Sequence, residues 1–184
     1  NNISVGVNAM LKTSNASLNV GMGNNNMEGL GSYIENVSIG NFALRREFAL
    51  STENVSFNTV VGGRALAFLK NGQNNIAIGY NSIKPITSGN DNVSIGANAG
   101  ANLNTGNGNI LIGSNTSTSS NNSNSELNIG NWIYGKNGII GIGTPNVNCA
   151  NCNGYRLFVK DGIKTEKVKV EIAANNGWAD YVLK

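Results

Sequence analysis

The chain has 184 residues, of which 12% are charged and 7% aromatic, with a net charge of +3 and no histidine. So small and dispersed a positive charge is no footprint for nucleic acid, no apolar run approaches the length of a membrane span, and without histidine there is no Ser–His or Cys–His nucleophile pair. Asparagine supplies about one residue in five and glycine 24 residues, a composition that reads as disordered unless its apolar residues are periodic.

They are periodic. A five-residue phrase, as in Asn92-Val93-Ser94-Ile95-Gly96, recurs nine times and ends at Gly6, Gly21, Gly40, Gly62, Gly79, Gly96, Gly113, Gly130 and Gly143. The first spacings are 15, 19 and 22 residues, and from Gly62 to Gly130 every step is 17. A fixed period of this size marks a repeat architecture built by stacking one small unit. The residue before each glycine is β-branched throughout: Val5, Val20, Ile39, Val61, Ile78, Ile95, Ile112, Ile129 and Ile142. Two positions earlier a second column is apolar except at Thr59. A spacing of two puts both columns on one face of a strand, and β-branched residues fit a pleated, half-buried surface. The expectation is nine short parallel strands, with Val61, Ile78, Ile95, Ile112 and Ile129 stacked as one buried column. At about 4.8 Å per coil the rod is on the order of 40 Å long.

Asparagine recurs four positions before the glycine, at Asn2, Asn36, Asn58, Asn75, Asn92 and Asn109. Stacked coils place these amides above one another, where they can hydrogen-bond along the stack. Sequons such as Asn36-Val37-Ser38 and Asn92-Val93-Ser94 arise from this repeat and fall in strands, so they are not read as glycan acceptors.

The longest insertion, residues 44–50, reads as a loop or helical turn on the outside of the rod. Its Arg45-Arg46 pair and Phe48 could mark a binding spot, but a solvated or inter-chain packing role is the expectation. Residues 117–125, rich in Ser and Asn, read as a loop between coils. Beyond Gly143 the pattern changes. Thr144-Pro145 ends the array, and a loop carrying Cys149 and Cys152 follows. With no second Cys-x-x-Cys and no histidine, a zinc site would lack two ligands, so the pair is either a local disulfide or two free thiols. Residues 155–159 read as a strand, residues 160–162 as a turn, and residues 163–172 as a second strand. In that strand Val168, Val170 and Ile172 alternate with Lys167, Lys169 and Glu171. Trp178, Tyr181 and Val182 supply a last apolar anchor. The organisation expected is therefore an all-β rod over residues 1–143, a linker over 144–154 and a compact β-collar over 155–184. No signal peptide is evident and the sequence begins with Asn1, which reads as a fragment or processed form.

The repeat phrase resembles the head repeats of trimeric autotransporter adhesins of the YadA type. Ala9, Ala43, Ala65, Ser82 and Ala99 fall three residues after the glycine, as in that pattern. The resemblance covers residues 2–143 and implies a left-handed parallel β-roll with three chains to a rod. The 17-residue period and the insertions depart from that family's shorter repeat. The C-terminal part, from residues 141–145 through 155–159 to 177–182, resembles tail-fibre-like proteins of Bacteroidetes and their phages. There such a segment precedes an intramolecular chaperone that trimerises the fibre.

These readings converge on a non-enzymatic, extracellular structural fibre: a homotrimer that displays or contacts a surface receptor, such as a glycan. It needs no metal, cofactor or membrane insertion. The particle-borne tail fibre is favoured over a cell-envelope trimeric adhesin by the C-terminal resemblance. A polysaccharide-cleaving β-helix would want paired carboxylates, yet no two of the ten acidic residues recur in the repeat register.

Overall fold

The glycine that closes most coils is demanded by the next coil. In the computed structural model, which describes residues 1–46, 53–147 and 156–167, Gly79 has φ 126°, and a Cβ built there would lie 2.6 Å from the Gly96 carbonyl group. No side chain fits such an approach, and L-residues avoid that backbone. Gly6, Gly23, Gly40, Gly62 and Gly96 are under the same constraint. The second coil therefore closes on Gly23, not on Gly21 as the phrase alignment suggests. Corrected in this way, the steps of 15 and 19 become 17 and 17, and up to Gly130 only the step of 22 from Gly40 to Gly62 departs.

All described elements are strands, with no helix among the described residues. In chain order they begin β1 (Ile3–Val5), β2 (Asn15–Ser17), β3 (Val20–Met22), β4 (Ser32–Ile34), β5 (Val37–Ile39), β6 (Asn54–Ser56), β7 (Thr59–Val61) and β8 (Gly72–Gln73). They continue as β9 (Ile76–Ile78), β10 (Val93–Ile95), β11 (Ile110–Ile112), β12 (Leu127–Ile129), β13 (Ile133–Lys136), β14 (Ile139–Ile142) and β15 (Leu157–Val159). One sheet runs β1-β3-β5-β7-β9-β10-β11-β12-β13-β14-β15, and a smaller one β2-β4-β6-β8. Pairing is parallel from β1 to β12 in an unbroken register, for example Ile76 to Val93 to Ile110. The molecule is thus a parallel β-solenoid of eight coils, a stack of about 34 Å at 4.8 Å per step.

Each coil turns twice. After the glycine the chain takes two left-handed residues, as at Asn81 (φ 56°) and Ile83 (φ 34°). At the opposite corner one left-handed residue, such as Asp91 (φ 59°), directly precedes the repeating asparagine. Left-handed backbone costs a non-glycine residue roughly 1–2 kcal/mol, so closure must be offset by what stacks between coils.

A continuous asparagine ladder does much of that. The Asn75 side-chain amide donates to Asn58 Oδ1 at 2.9 Å and to the Gly89 carbonyl at 2.9 Å. Its own Oδ1 accepts from the Asn92 backbone N–H at 3.1 Å and from Asn92 Nδ2 at 3.0 Å. Both donors and both acceptor positions are filled. The same pattern links Asn2, Asn19, Asn36, Asn58, Asn75, Asn92 and Asn109, and the Glu126 backbone N–H closes the far end. Asn19 is the member that the phrase alignment misses. Asn36 and Asn92 are fully enclosed, which removes both sequons from solvent.

The apolar interior differs from expectation. The paired columns do stack, but they point away from the coil: Val61 is 37% exposed, Ile78 36% and Ile95 37%. The residue between them faces inward, as Ser38, Val60, Ala77, Ser94 and Leu111 show. The walls stand close together near the ladder corner, so most inward strand positions are small. Larger side chains come from the turn opposite: Met27, Leu44, Leu66 and Ile83 form one buried column. Gly100 continues it, and a Cβ there would meet Ile83 Cγ2 at 2.3 Å.

The ninth phrase is not a ninth coil. β13 pairs antiparallel with β12, and β14, which holds the phrase, pairs antiparallel with β13. β15 then returns parallel to β14, with Ile140 opposite Leu157, which bears out the strand expected around residue 157. A bend follows at Lys160 and Asp161. Residues 163–167 are exposed and not a strand, which corrects the first half of the second strand expected there. Val168, Val170, Ile172, Trp178, Tyr181 and Val182 lie outside the described residues.

Replacing Asn75 by alanine leaves the Asn92 backbone N–H buried without its acceptor and the Gly89 carbonyl without this donor. Urea unfolding should register a loss of roughly 2–4 kcal/mol. Asn8→Gly, at an exposed left-handed position (φ 56°), should stay within about 0.5 kcal/mol.

Candidate functional site

The outward face of the large sheet is the most unusual surface of the chain. Its two columns run side by side from Ile3 and Val5 to Leu127 and Ile129, with one polar side chain, Thr59. Register carries them on through Ile140 and Ile142 to Leu157 and Val159. No charged residue interrupts the columns. The ladder corner borders one side of this face and the glycine column the other. A contiguous apolar surface of this length exceeds what a monomer ordinarily leaves in water.

The turn corner carries charge. Arg46, read as solvated or packed between chains, is buried at 2% exposure. Its guanidinium sits 5.3 Å from the centre of the Tyr33 ring, with Nη2 donating to the Lys70 carbonyl at 2.6 Å and to Glu53 Oε2 at 3.3 Å. The arginine therefore tethers the two ends of the insertion to the fourth coil, a structural task. Burial pushes the Tyr33 hydroxyl well above its usual range, and the neighbouring Arg46 offsets only part of that. Arg45 remains at the surface, bonded to Glu28 Oε2 at 3.1 Å. Phe48 lies outside the described residues, as do Cys149 and Cys152.

Where the last coil meets the hairpin, Ser119 and Glu126 before β12 and Lys136 on β13 form a third constellation. The Ser119 hydroxyl and Lys136 Nζ each donate to Glu126 Oε1 at 2.5 Å, and the Ser119 backbone N–H donates to Oε2 at 2.7 Å. Lys136 Nζ also lies 2.9 Å from Ser119 Oγ. A serine beside a lysine can be a nucleophile with its base, but an ammonium held by a carboxylate has no lone pair with which to take a proton. The cluster instead pins the loop over residues 117–125 to the hairpin. Burial pushes the Glu126 carboxyl up, but the donors from Lys136, Ser119 and Ser123 outweigh it and hold the group below its ordinary value.

Of the described acids, Glu28 faces Arg45 and Lys12, Glu53 faces Arg46, and Asp91 accepts from Asn74. Among the described residues no group of three His, Cys, Asp or Glu side chains is placed to hold a metal ion. Nor does any helix there cross a membrane by length and apolarity. Comparisons with protein-family models, with curated proteins and with solved structures each returned no match.

Because the folded Glu126 is a stronger acid than the unfolded one, its contribution to stability is complete above the unfolded value near 4.5 and is lost as pH falls through the lower folded value. Melting temperature should therefore drop on acidification below about pH 4.5 more steeply in the wild type than in Glu126→Gln. Parallel curves for the two proteins would remove the carboxylate from that role.

Proposed function

We propose that this chain is a segment of a non-enzymatic, extracellular structural fibre, assembled as a homotrimer and used to contact a cell surface. The observation that carries the reading is the uncharged double column on the outward face of the large sheet. Three copies set around an axis parallel to the stack keep each coil level with its counterparts. Every valine or isoleucine then meets residues of its own kind, the self-complementarity that cyclic homo-oligomers use. Burying one such side chain is worth roughly 1.5–3 kcal/mol, and the repeat multiplies this along the rod. The count of three rests on the resemblance to YadA-type head repeats. The resemblance of the C-terminal part to tail-fibre-like proteins favours a phage or injection particle as the carrier over an adhesin of the cell envelope.

Light scattering should give three times the 19.2 kDa mass of one chain. Because Ile95 faces outward, Ile95→Asp should break the assembly while leaving the β-rich circular dichroism of the single coil stack. A monomeric or dimeric wild type would sink the trimer, and an Ile95→Asp protein that assembles normally would remove this face from the interface.

A further inference from the structure

The corner after the glycine carries a regular pattern with one local break. The position two after the glycine is left-handed in the first seven coils, at Asn8, Asn25, Phe42, Arg64, Asn81, Asn98 and Asn115. Asparagine tolerates that backbone, while phenylalanine and arginine do not gain from it. The two exceptions are adjacent, in the third and fourth coils. Residues that break a local rule without a structural return point to function.

Around them a notch opens. It is lined by Phe42, Arg45, Arg64, Ala67, Phe68 and Lys84. Arg45, Ala67 and Lys84 occupy the same position, five after the glycine, in successive coils. The small Ala67 is thus a floor between two cations that stand two coil steps apart, about 10 Å. The cations are held in place by rings: Arg45 and Arg64 lie 5.4 Å and 5.8 Å from the centre of Phe42, and Lys84 lies 5.5 Å from that of Phe68. Arg64 and Lys84 make no ion pair among the described residues. Among the described residues, the nearby carboxylate of Glu28 is already shared by Arg45 and Lys12.

We propose that this notch binds an acidic sugar residue of a surface polysaccharide. The converging cations supply charge-assisted hydrogen bonds to a carboxylate, and Ala67 with the edge of Phe68 receives the apolar face of the sugar ring. A width of two coil steps admits one ring with its substituents. The notch lies on the turn corner and not on the apolar sheet face, so assembly through that face leaves it open. The site gives the surface-contact reading above a ligand class and rests on it.

The test is calorimetric titration of the full chain with tetragalacturonate, its methyl ester and a hexaglutamate peptide, with the molar mass measured on the same samples. The acid form should bind, and the neutral ester should bind at least about tenfold more weakly, one charge-assisted contact's worth. Arg64→Gln and Lys84→Gln should each weaken binding roughly fivefold or more. Ala67→Leu, which fills the floor without changing charge, should abolish it. Thermal unfolding of the Arg64→Gln and Lys84→Gln variants should match the wild type. Equal binding of the ester, unchanged binding in the variants, no binding at millimolar tetragalacturonate, or equal affinity for hexaglutamate would each overturn the acidic-sugar site. A trimer that fails to bind removes the site and leaves the fibre, whereas a monomer that binds removes the fibre and leaves the site.

Discussion

The buried asparagine ladder is the constraint on which the other features depend. Each inner rung, from Asn19 to Asn92, fills both donors and both acceptor positions of one amide, joining the coil below, the coil above and the opposite wall. A buried amide left half-satisfied costs free energy of the same order as one good hydrogen bond, so a coil cannot slip by one residue without orphaning groups on two neighbours. The ladder therefore sets the parallel register. Register in turn brings the glycine column to backbone contact and places two left-handed residues at the opposite corner. The apolar interior is a narrow cluster of a few side chains per coil, and its register is held by repetition of a polar contact.

Placement of the ladder also decides which strand face is inside. Because the asparagine turns inward next to the strand, the first residue after it must point out, the next in and the third out. The inward residue sits where the walls converge and is mostly small. The two β-branched residues are left outside. What looks from one chain like an exposed hydrophobic surface is the consequence of that geometry, and it gives the chain a face suited to copies of itself.

The solenoid was legible because β-branched columns, glycine and asparagine each recur at a fixed offset. Legibility ended where two alternatives share one pattern. A period of two defines two strand faces without saying which is interior, so the apolar columns read as core. The second coil reads as Asn19-Val20-Gly21-Met22-Gly23, with glycine at the inward position and methionine in the outward column. Aligning on the first glycine hid Asn19 from the ladder. Arg46 read as a surface residue because nothing local announces that Tyr33, Glu53 and the Lys70 carbonyl gather around it. The notch had only a partial signal: Phe42 and Arg64 occupy positions where other coils place asparagine. That signal becomes readable once the coils are aligned on the correct glycines.

Hydrogen exchange of the asparagine side-chain amides, followed by NMR on the intact protein, addresses the ladder most directly. The Nδ2 protons of Asn36, Asn58, Asn75 and Asn92 each bridge a neighbouring side chain and a carbonyl out of solvent. They should exchange orders of magnitude more slowly than those of Asn8 and Asn107, whose side-chain pairings are exposed. Equal rates in the two sets would mean that the inner amides are open to water and that the register is held by something else.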